Sequence, residues 1–230
     1  MIKDTETNFL SYVPIFSGLD DDTLEKIAKL GIKQRYRRDS TILFEEESGA
    51  ALFIIMEGKV KVSRVSSDGR EVILTILNDS DFFGEMSIID GQTRSANITA
   101  MEDTEIFIIQ RNDFLDLLQS HPDIAIALLQ EMTMRLRSAD TKIKSLSLKD
   151  AEGKVATVIL QLADDMGKIR QGQVEIDKLP YQHDLANMAG TSRETISRTL
   201  HLFARKGLVE LDGSKLRIID YEKFKETYTG

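Results

Sequence analysis

The sequence predicts an α+β fold in three parts: an N-terminal antiparallel β-roll, a long helix and a C-terminal winged helix-turn-helix. Three observations carry this. Strand-type runs punctuated by glycine turns dominate from about residue 31 to 110. From Pro122 the apolar residues switch to a 4-3 spacing. Near the C-terminus a helix–glycine–helix pattern is followed by two alternating runs around a turn. The expected domains are residues 1–120, 121–148 and 149–230.

The first part opens with a short amphipathic helix. Asp20 or Asp21 can cap it, Leu24, Ile27 and Leu30 share one face, and Gly31 stops it. The strand signals are Leu52-Phe-Ile-Ile-Met56, Lys59-Val-Lys-Val-Ser63, Glu71-Val-Ile-Leu-Thr-Ile-Leu77 and Thr104-Glu-Ile-Phe-Ile-Ile109. Glu57-Gly58 and Asp68-Gly69 supply turns between them. Pro122, after Ser120 or His121, suits the first position of a helix because it has no N–H to leave unsatisfied. Ala125, Leu129, Met132, Leu136, Ala139, Ile143 and Leu146 then follow at steps of four and three. Such a narrow stripe is expected to be a dimer seam of Leu129, Met132, Leu136, Ala139, Ile143 and Leu146; a long core helix is the alternative. Residues 144–150 read as a hinge, and Val155, Val158, Ile159 and Leu162 as the inner face of the next helix, with Gly167 its stop.

In the last part Gly190 ends an apolar segment, Leu185-Ala-Asn-Met-Ala189, where a left-handed residue is needed. Thr191 or Ser192 can cap the helix that follows. Ile196, Leu200 and Phe203 face a core, which leaves Arg193, Glu194, Ser197, Arg198 and His201 outside. Arginine can grip guanine O6 and N7 together, and glutamate can accept from cytosine N4, so this face suits base edges. Two plainer readings stand beside it: Thr191 and Glu194 fit a capping box, and the arginines could be solvated. Leu208-Val-Glu-Leu211, Asp212-Gly213 and Lys215-Leu-Arg-Ile-Ile219 complete a winged helix-turn-helix.

Phe82-Phe-Gly-Glu-Met-Ser-Ile-Ile-Asp-Gly-Gln-Thr-Arg-Ser-Ala96 is a second candidate site. A short helix begun at Gly84 aims free N–H groups at an anion. Arg94 can hold a phosphate bidentately, Ser95 can add a hydrogen bond and Glu85 can accept from a hydroxyl. The alternative is an internal Glu85–Arg94 salt bridge that steadies a loop.

Composition narrows the function classes. The chain has no cysteine, so disulfides, Cys-ligated zinc and cysteine-held iron–sulfur clusters are excluded. Its three histidines are scattered without metal-ligand spacing. No nucleophile–base constellation stands out, so no enzyme is expected, and Asp164-Asp165 read as solvated helix-end charges. No run approaches the ~18 apolar residues of a membrane span, and the polar start lacks a signal-peptide core, so a cytoplasmic protein with no membrane partner is expected. The net charge of −8 is unevenly placed. Residues 150–230 hold 12 Lys and Arg against 13 Asp and Glu, and residues 190–217 hold six against three. A local basic face is therefore available for nucleic acid.

Roll, cassette, heptad helix and winged helix-turn-helix, in that order, resemble the CRP/FNR family of bacterial transcription regulators, in its catabolite-activator-like branch, over nearly the whole chain. FGE…RSA resembles the family's cyclic-nucleotide phosphate cassette, and SRETISR its recognition helix. The resemblance implies Glu85 on the ribose and Arg94 with Ser95 on the cyclic phosphate. Gly84, Met86, Ser87 and Ala96 complete the implied effector set, with Asp140 on the long helix. It implies DNA contacts from Thr191, Ser192, Arg193, Glu194, Ser197 and Arg198. Ser197 matches the FNR branch, so an operator intermediate in sequence is expected, built on a TGTGA…TCACA palindrome. Also implied are a cyclic-nucleotide effector with cAMP foremost, a homodimer, duplex DNA, RNA polymerase as a partner, and neither metal nor iron–sulfur cluster. Two departures matter. Ala139 and Asp140 stand where a Thr-Ser pair holds adenine, and Glu46 replaces the first glycine of the roll signature. A ligand-independent regulator of the same fold, or a cyclic-nucleotide-binding interaction module, are the alternative readings.

Overall fold

The computed structural model describes residues 5–49 and 51–229, and the chain divides into two compact units, Met1–Arg137 and Ser138–Gly230. In the first unit α1 (Thr5–Leu10) and a 3-10 turn (Pro14–Phe16) precede α2 (Asp21–Leu30). Asp20 is the cap of α2, its carboxylate accepting from the Thr23 N–H at 2.8 Å. Gly31 ends α2 in extended backbone, and its lack of a side chain is needed because a Cβ would lie 2.2 Å from the Phe107 ring.

The strands are β1 (Ile32–Tyr36), β2 (Thr41–Leu43), β3 (Ala51–Glu57), β4 (Val60–Val65), β5 (Glu71–Leu77) and β6 (Phe82–Phe83). After α3 (Glu85–Asp90) come β7 (Asn97–Ala100) and β8 (Thr104–Gln110). They form two antiparallel four-stranded sheets, in the orders β1-β8-β3-β6 and β2-β7-β4-β5, which together make the expected roll. β3 is apolar from Ala51 to Met56 because both faces are covered, and ends at the exposed Glu57. Phe53 and Ile55 join Val60, Leu77, Phe83 and Ile98 inside the roll, whereas Leu52 and Ile54 join Phe16, Ile27, Phe107 and Phe114 under the helices. Phe114 belongs to α4 (Arg111–Ser120), a helix the sequence reading did not anticipate.

Pro122 does begin the long helix α5 (Pro122–Leu148), which runs across the boundary between the units. Its residues Ile124 and Leu128 are buried in the roll's helical core, and Met132 packs against it. Leu129, Leu136 and Ile143, one heptad apart, are 67%, 64% and 62% exposed. Ala139 is exposed too, whereas Leu146 is half-buried. The hinge region is shorter than read. α5 stays helical to Leu148, and Lys149 and Asp150 make the break.

In the second unit Asp150 caps α6 (Ala151–Met166) by accepting from the Gly153 N–H at 2.8 Å. β9 (Lys168–Arg170) and β10 (Gln173–Ile176) lead to α7 (Gln182–Ala189) and α8 (Arg193–Arg205). β11 (Val209–Asp212), β12 (Lys215–Ile218) and α9 (Tyr221–Thr229) close the chain. The four strands form one sheet, ordered β11-β12-β10-β9. Asp212 is a strand residue paired with Lys215, so the turn of the wing is Gly213-Ser214 rather than Asp212-Gly213. Val155, Val158, Ile159 and Leu162 are buried, as their spacing predicts. Asp164 is not simply solvated, because it accepts a hydrogen bond from the Tyr221 hydroxyl.

Candidate functional site

The cassette is built where β6 turns into α3. Gly84 makes the turn at φ +87°, a conformation open to glycine, and a Cβ there would lie 2.7 Å from Nη1 of Arg94 and 2.9 Å from the Ala51 carbonyl. Arg94 is therefore packed directly beneath the turn, 6% exposed. Its Nη1 donates to the Gly84 carbonyl at 2.8 Å and to Ser87 Oγ at 2.7 Å, and its Nη2 donates to the Ala51 carbonyl at 3.1 Å. Its Cζ lies 5.4 Å from the Phe53 ring centre. Gly49 leaves the space, since a Cβ there would sit 2.3 Å from the guanidinium carbon. Among the described residues no carboxylate is within ion-pair distance of Arg94. Burial pushes its pKa down, against the opposing pull of the Glu85 and Glu47 charges.

Glu85, equally buried, pairs with Arg135 and not with Arg94. Arg135 Nη1 lies 3.1 Å from Glu85 Oε1, while Nη2 donates to the Phe82 carbonyl at 2.6 Å and the guanidinium stacks 4.4 Å from the Phe82 ring centre. The internal Glu85–Arg94 bridge expected as the alternative is thus absent. Burial pushes the Glu85 carboxyl up, and Arg135, then Arg94, hold it back. Arg135 was missed as a site residue. Its one sequence signal is a cation beside the apolar stripe, which reads equally well as a solvated helix charge.

Ser95 is exposed and donates to Met86 Sδ at 3.7 Å; Met86 is exposed, and Ala96 is buried behind them. Gly84, Glu85, Met86, Ser87, Arg94, Ser95 and Ala96 are therefore brought into one small region, with Ser87 serving Arg94. Asp140, exposed, belongs to the other unit. Glu46, where the resemblance places a glycine, takes φ +68°, in the left-handed region. The loop is tied down by Arg94, whose N–H donates to the Glu47 carbonyl at 2.8 Å and whose carbonyl accepts from the Glu46 N–H at 2.9 Å.

The second site begins at Gly190, φ +59°, between α7 and α8. Ser192 is the cap of α8, its hydroxyl accepting from the Thr195 N–H at 3.1 Å. The third helical residue is therefore Thr195, and the Thr191–Glu194 capping box does not form. Glu194 is left on the surface with Arg193, Arg198 and His201, while Ile196, Thr199, Leu200 and Phe203 are buried. Ser197 is half-buried, and its carbonyl accepts from His201 Nδ1 at 2.7 Å. Thr191 is half-buried in the turn, its N–H bonded to the Ala186 carbonyl at 3.0 Å.

The cations of the wing are neutralised in place. Arg217 is held by Glu175 and Glu210, and Lys215 by Asp177 and Glu175. Lys168 on β9 is held by Asp177 as well. Arg193 and Arg198 have no such partner among the described residues, so the free positive charge of this face is on α8.

A family model described as a cyclic nucleotide-binding domain matches residues 33–121, and one described as a Crp-like helix-turn-helix domain matches residues 153–227. Over 217 residues the chain is 34% identical to the cyclic AMP receptor protein of Thermus thermophilus, covering 94% of this chain and 97% of that one. It is 33% identical over 214 residues to a CRP-like cAMP-activated global transcriptional regulator of Mycobacterium tuberculosis, covering 93% and 96%. Among solved structures, FixK2 from Bradyrhizobium japonicum superposes with a TM-score of 0.76 at 22% identity, over 85% of this chain and 96% of that one, a likeness of fold.

Proposed function

This chain belongs to the CRP/FNR family of transcription regulators, as a DNA-binding regulator under effector control, and we propose that its effector is a cyclic mononucleotide, cAMP foremost. One observation carries the reading: Arg94 buries a full positive charge against neutral acceptors, an arrangement that is costly unless an anion arrives. A phosphodiester supplies that charge and accepts from the guanidinium edge. Ser95, on the surface beside it, can donate to the phosphate once its hydroxyl turns from the Met86 sulfur. Glu85, paired with Arg135, can accept from the ribose hydroxyl. Gly49 and Gly84 support the fit, since a side chain at either would displace the guanidinium. Relatives named for cAMP favour it over other cyclic nucleotides. The base contacts differ from the family pattern, because Ala139 has no hydrogen-bonding group.

In the same reading the protein acts as a homodimer in the cytoplasm, seamed along Leu129, Leu136 and Ile143. It presents two copies of α8 about 34 Å apart to successive major grooves of a palindromic operator. Thr191 and Ser192 start the helix at the backbone, and Arg193, Glu194, Ser197 and Arg198 face the bases and phosphates. RNA polymerase is the expected protein partner, and no enzymatic step is assigned.

Calorimetry of the full chain with cAMP tests the effector. Saturable binding is expected, and Arg94→Ala should abolish it; silence at millimolar cAMP in the parent protein overturns the choice of ligand. One observation favours a ligand-independent rival: Arg94 already has three protein acceptors. Full operator affinity in a nucleotide-free preparation would support that rival.

A further inference from the structure

The last helix, α9, lies outside both sites, yet its end is tied to residues that matter for DNA reading. Tyr228 makes three kinds of contact within the second unit. Its ring packs on Phe203 of α8 and on Phe224, with centroids 5.3 and 5.0 Å away. Its hydroxyl donates to Glu152 Oε1, and its carbonyl accepts from Lys149 Nζ. Lys149 is a residue of the α5–α6 break, and its ammonium also donates to Thr157 Oγ at 2.9 Å. Glu152, in the first turn of α6, also accepts from Lys206 Nζ at 2.6 Å, and Lys206 is the C-cap of α8.

The placement of these charges is favourable at each helix end. An acid sits in the first turn of α6, a lysine at the end of α8 and another at the end of α9, so all three dipoles are complemented. Lys206, then Tyr228, hold the Glu152 carboxyl below the usual range. The phenol of Tyr228 is pushed up by burial, by its bond to Glu152 and by nearby acids. Phe203 and Phe224 are fully buried, so the rings fix the side-to-side position of α8 while the polar chain fixes its end.

We infer that α9 is a strap that positions the recognition helix: Tyr228, gripped by Lys149 at the α5–α6 break, holds Glu152 and with it Lys206 at the end of α8. This rests on α8 being the DNA-reading helix, and it makes Lys149, Glu152 and Tyr228 positioning residues with no contact to DNA or effector of their own. A shift at the break then reaches the end of α8 through side chains rather than through the length of α6.

Hydrogen–deuterium exchange on the full chain tests the strap without any ligand. Tyr228→Phe keeps the ring cluster and deletes the hydroxyl. Lys149→Met removes an ammonium that bonds α6 and α9 but not α8. Each should speed exchange at least threefold at Lys206, Gly207 and Leu208, whose N–H groups close the end of α8. Protection in α7 and in β3 and β8 of the roll should stay unchanged. Loosening confined to α9, or an unmoved end of α8 in both variants, overturns the strap. A DNA arm separates positioning from contact. With saturating cAMP present, affinity for a labelled duplex carrying TGTGA and TCACA half-sites should fall about three- to tenfold with the salt slope unchanged, since no phosphate contact is lost. A reduced slope would make these residues DNA ligands instead, which also overturns the proposal. If the parent protein ignores that duplex, the operator assignment fails while exchange still decides the strap.

Discussion

Arg94 and Glu85 are both almost wholly buried, yet neither is the other's ion-pair partner. Glu85 depends on Arg135, fifty positions away in the sequence, and a buried carboxylate stripped of its partner is expensive to keep. Arg135→Met should therefore cost about 3 kcal/mol in urea unfolding, the low end of the range for breaking such a pair because Arg135 is itself one-third exposed. A loss under about 1 kcal/mol would mean that the pair behaves as a surface bridge. At Asp177 the effect is of pH. Lys168, then Lys215, hold its carboxyl at about 2, against 3.8 in the absence of partners. A folded-state pKa below the unfolded one gives stabilisation that is complete above about pH 4 and lost as pH falls toward 2. Asp177→Asn should flatten that acid limb in melting temperatures recorded from pH 5 down to 2; an unchanged limb assigns the slope to other carboxylates.

At the scale of elements, local chemistry was readable where a single residue type enforces a shape. Gly190 is the clearest instance. Its positive φ turns α7 into α8, and a Cβ would lie 2.9 Å from Leu146 Cδ2. Gly190→Ala should cost about 1–2 kcal/mol from the left-handed conformation, seen as a lower urea midpoint with the same slope. An unaltered midpoint would show that the turn can relax. The roll strands β3, β4, β5 and β8 were legible from their apolar or alternating runs, whereas β1, β2, β6, β7, β9 and β10 were not. β1 is exposed along most of its length and is a strand because β8 hydrogen-bonds it from seventy residues away. β6 is two residues long and owes its state to β3. Propensity is a local quantity and cannot register a ladder bond from a distant partner. The same limit explains the cap of α8. Thr191 and Ser192 are equivalent by type, and backbone geometry at the turn selects Ser192 and so frees Glu194 for the surface.

For the whole molecule the question is what covers the apolar stripe of α5. Exposed leucines and isoleucine at heptad intervals are what a two-chain seam requires, and Met132, which shares the pattern, turns instead to its own core. Leu136→Glu should shift sedimentation from dimer to monomer and with it weaken binding to a two-half-site operator far more than to one half-site. A variant that remains a dimer removes Leu136 from the seam. The net charge of −8 is no obstacle to DNA binding at this scale, because Glu175, Asp177 and Glu210 are taken up by the wing's cations, while Arg193 and Arg198 of α8 have no ion-pair partner among the described residues.

By itself the sequence determined the order of roll, long helix and winged helix-turn-helix, the cassette and the face of α8. Each of these is written in periodicity, glycine placement and residue type within about one element's length. The tertiary structure alone decided who pairs with whom: Arg135 with Glu85, Arg94 with three neutral acceptors, Lys149 with Tyr228. Those choices depend on which distant groups folding leaves without water, and desolvation is a property of the packed chain rather than of any stretch of it.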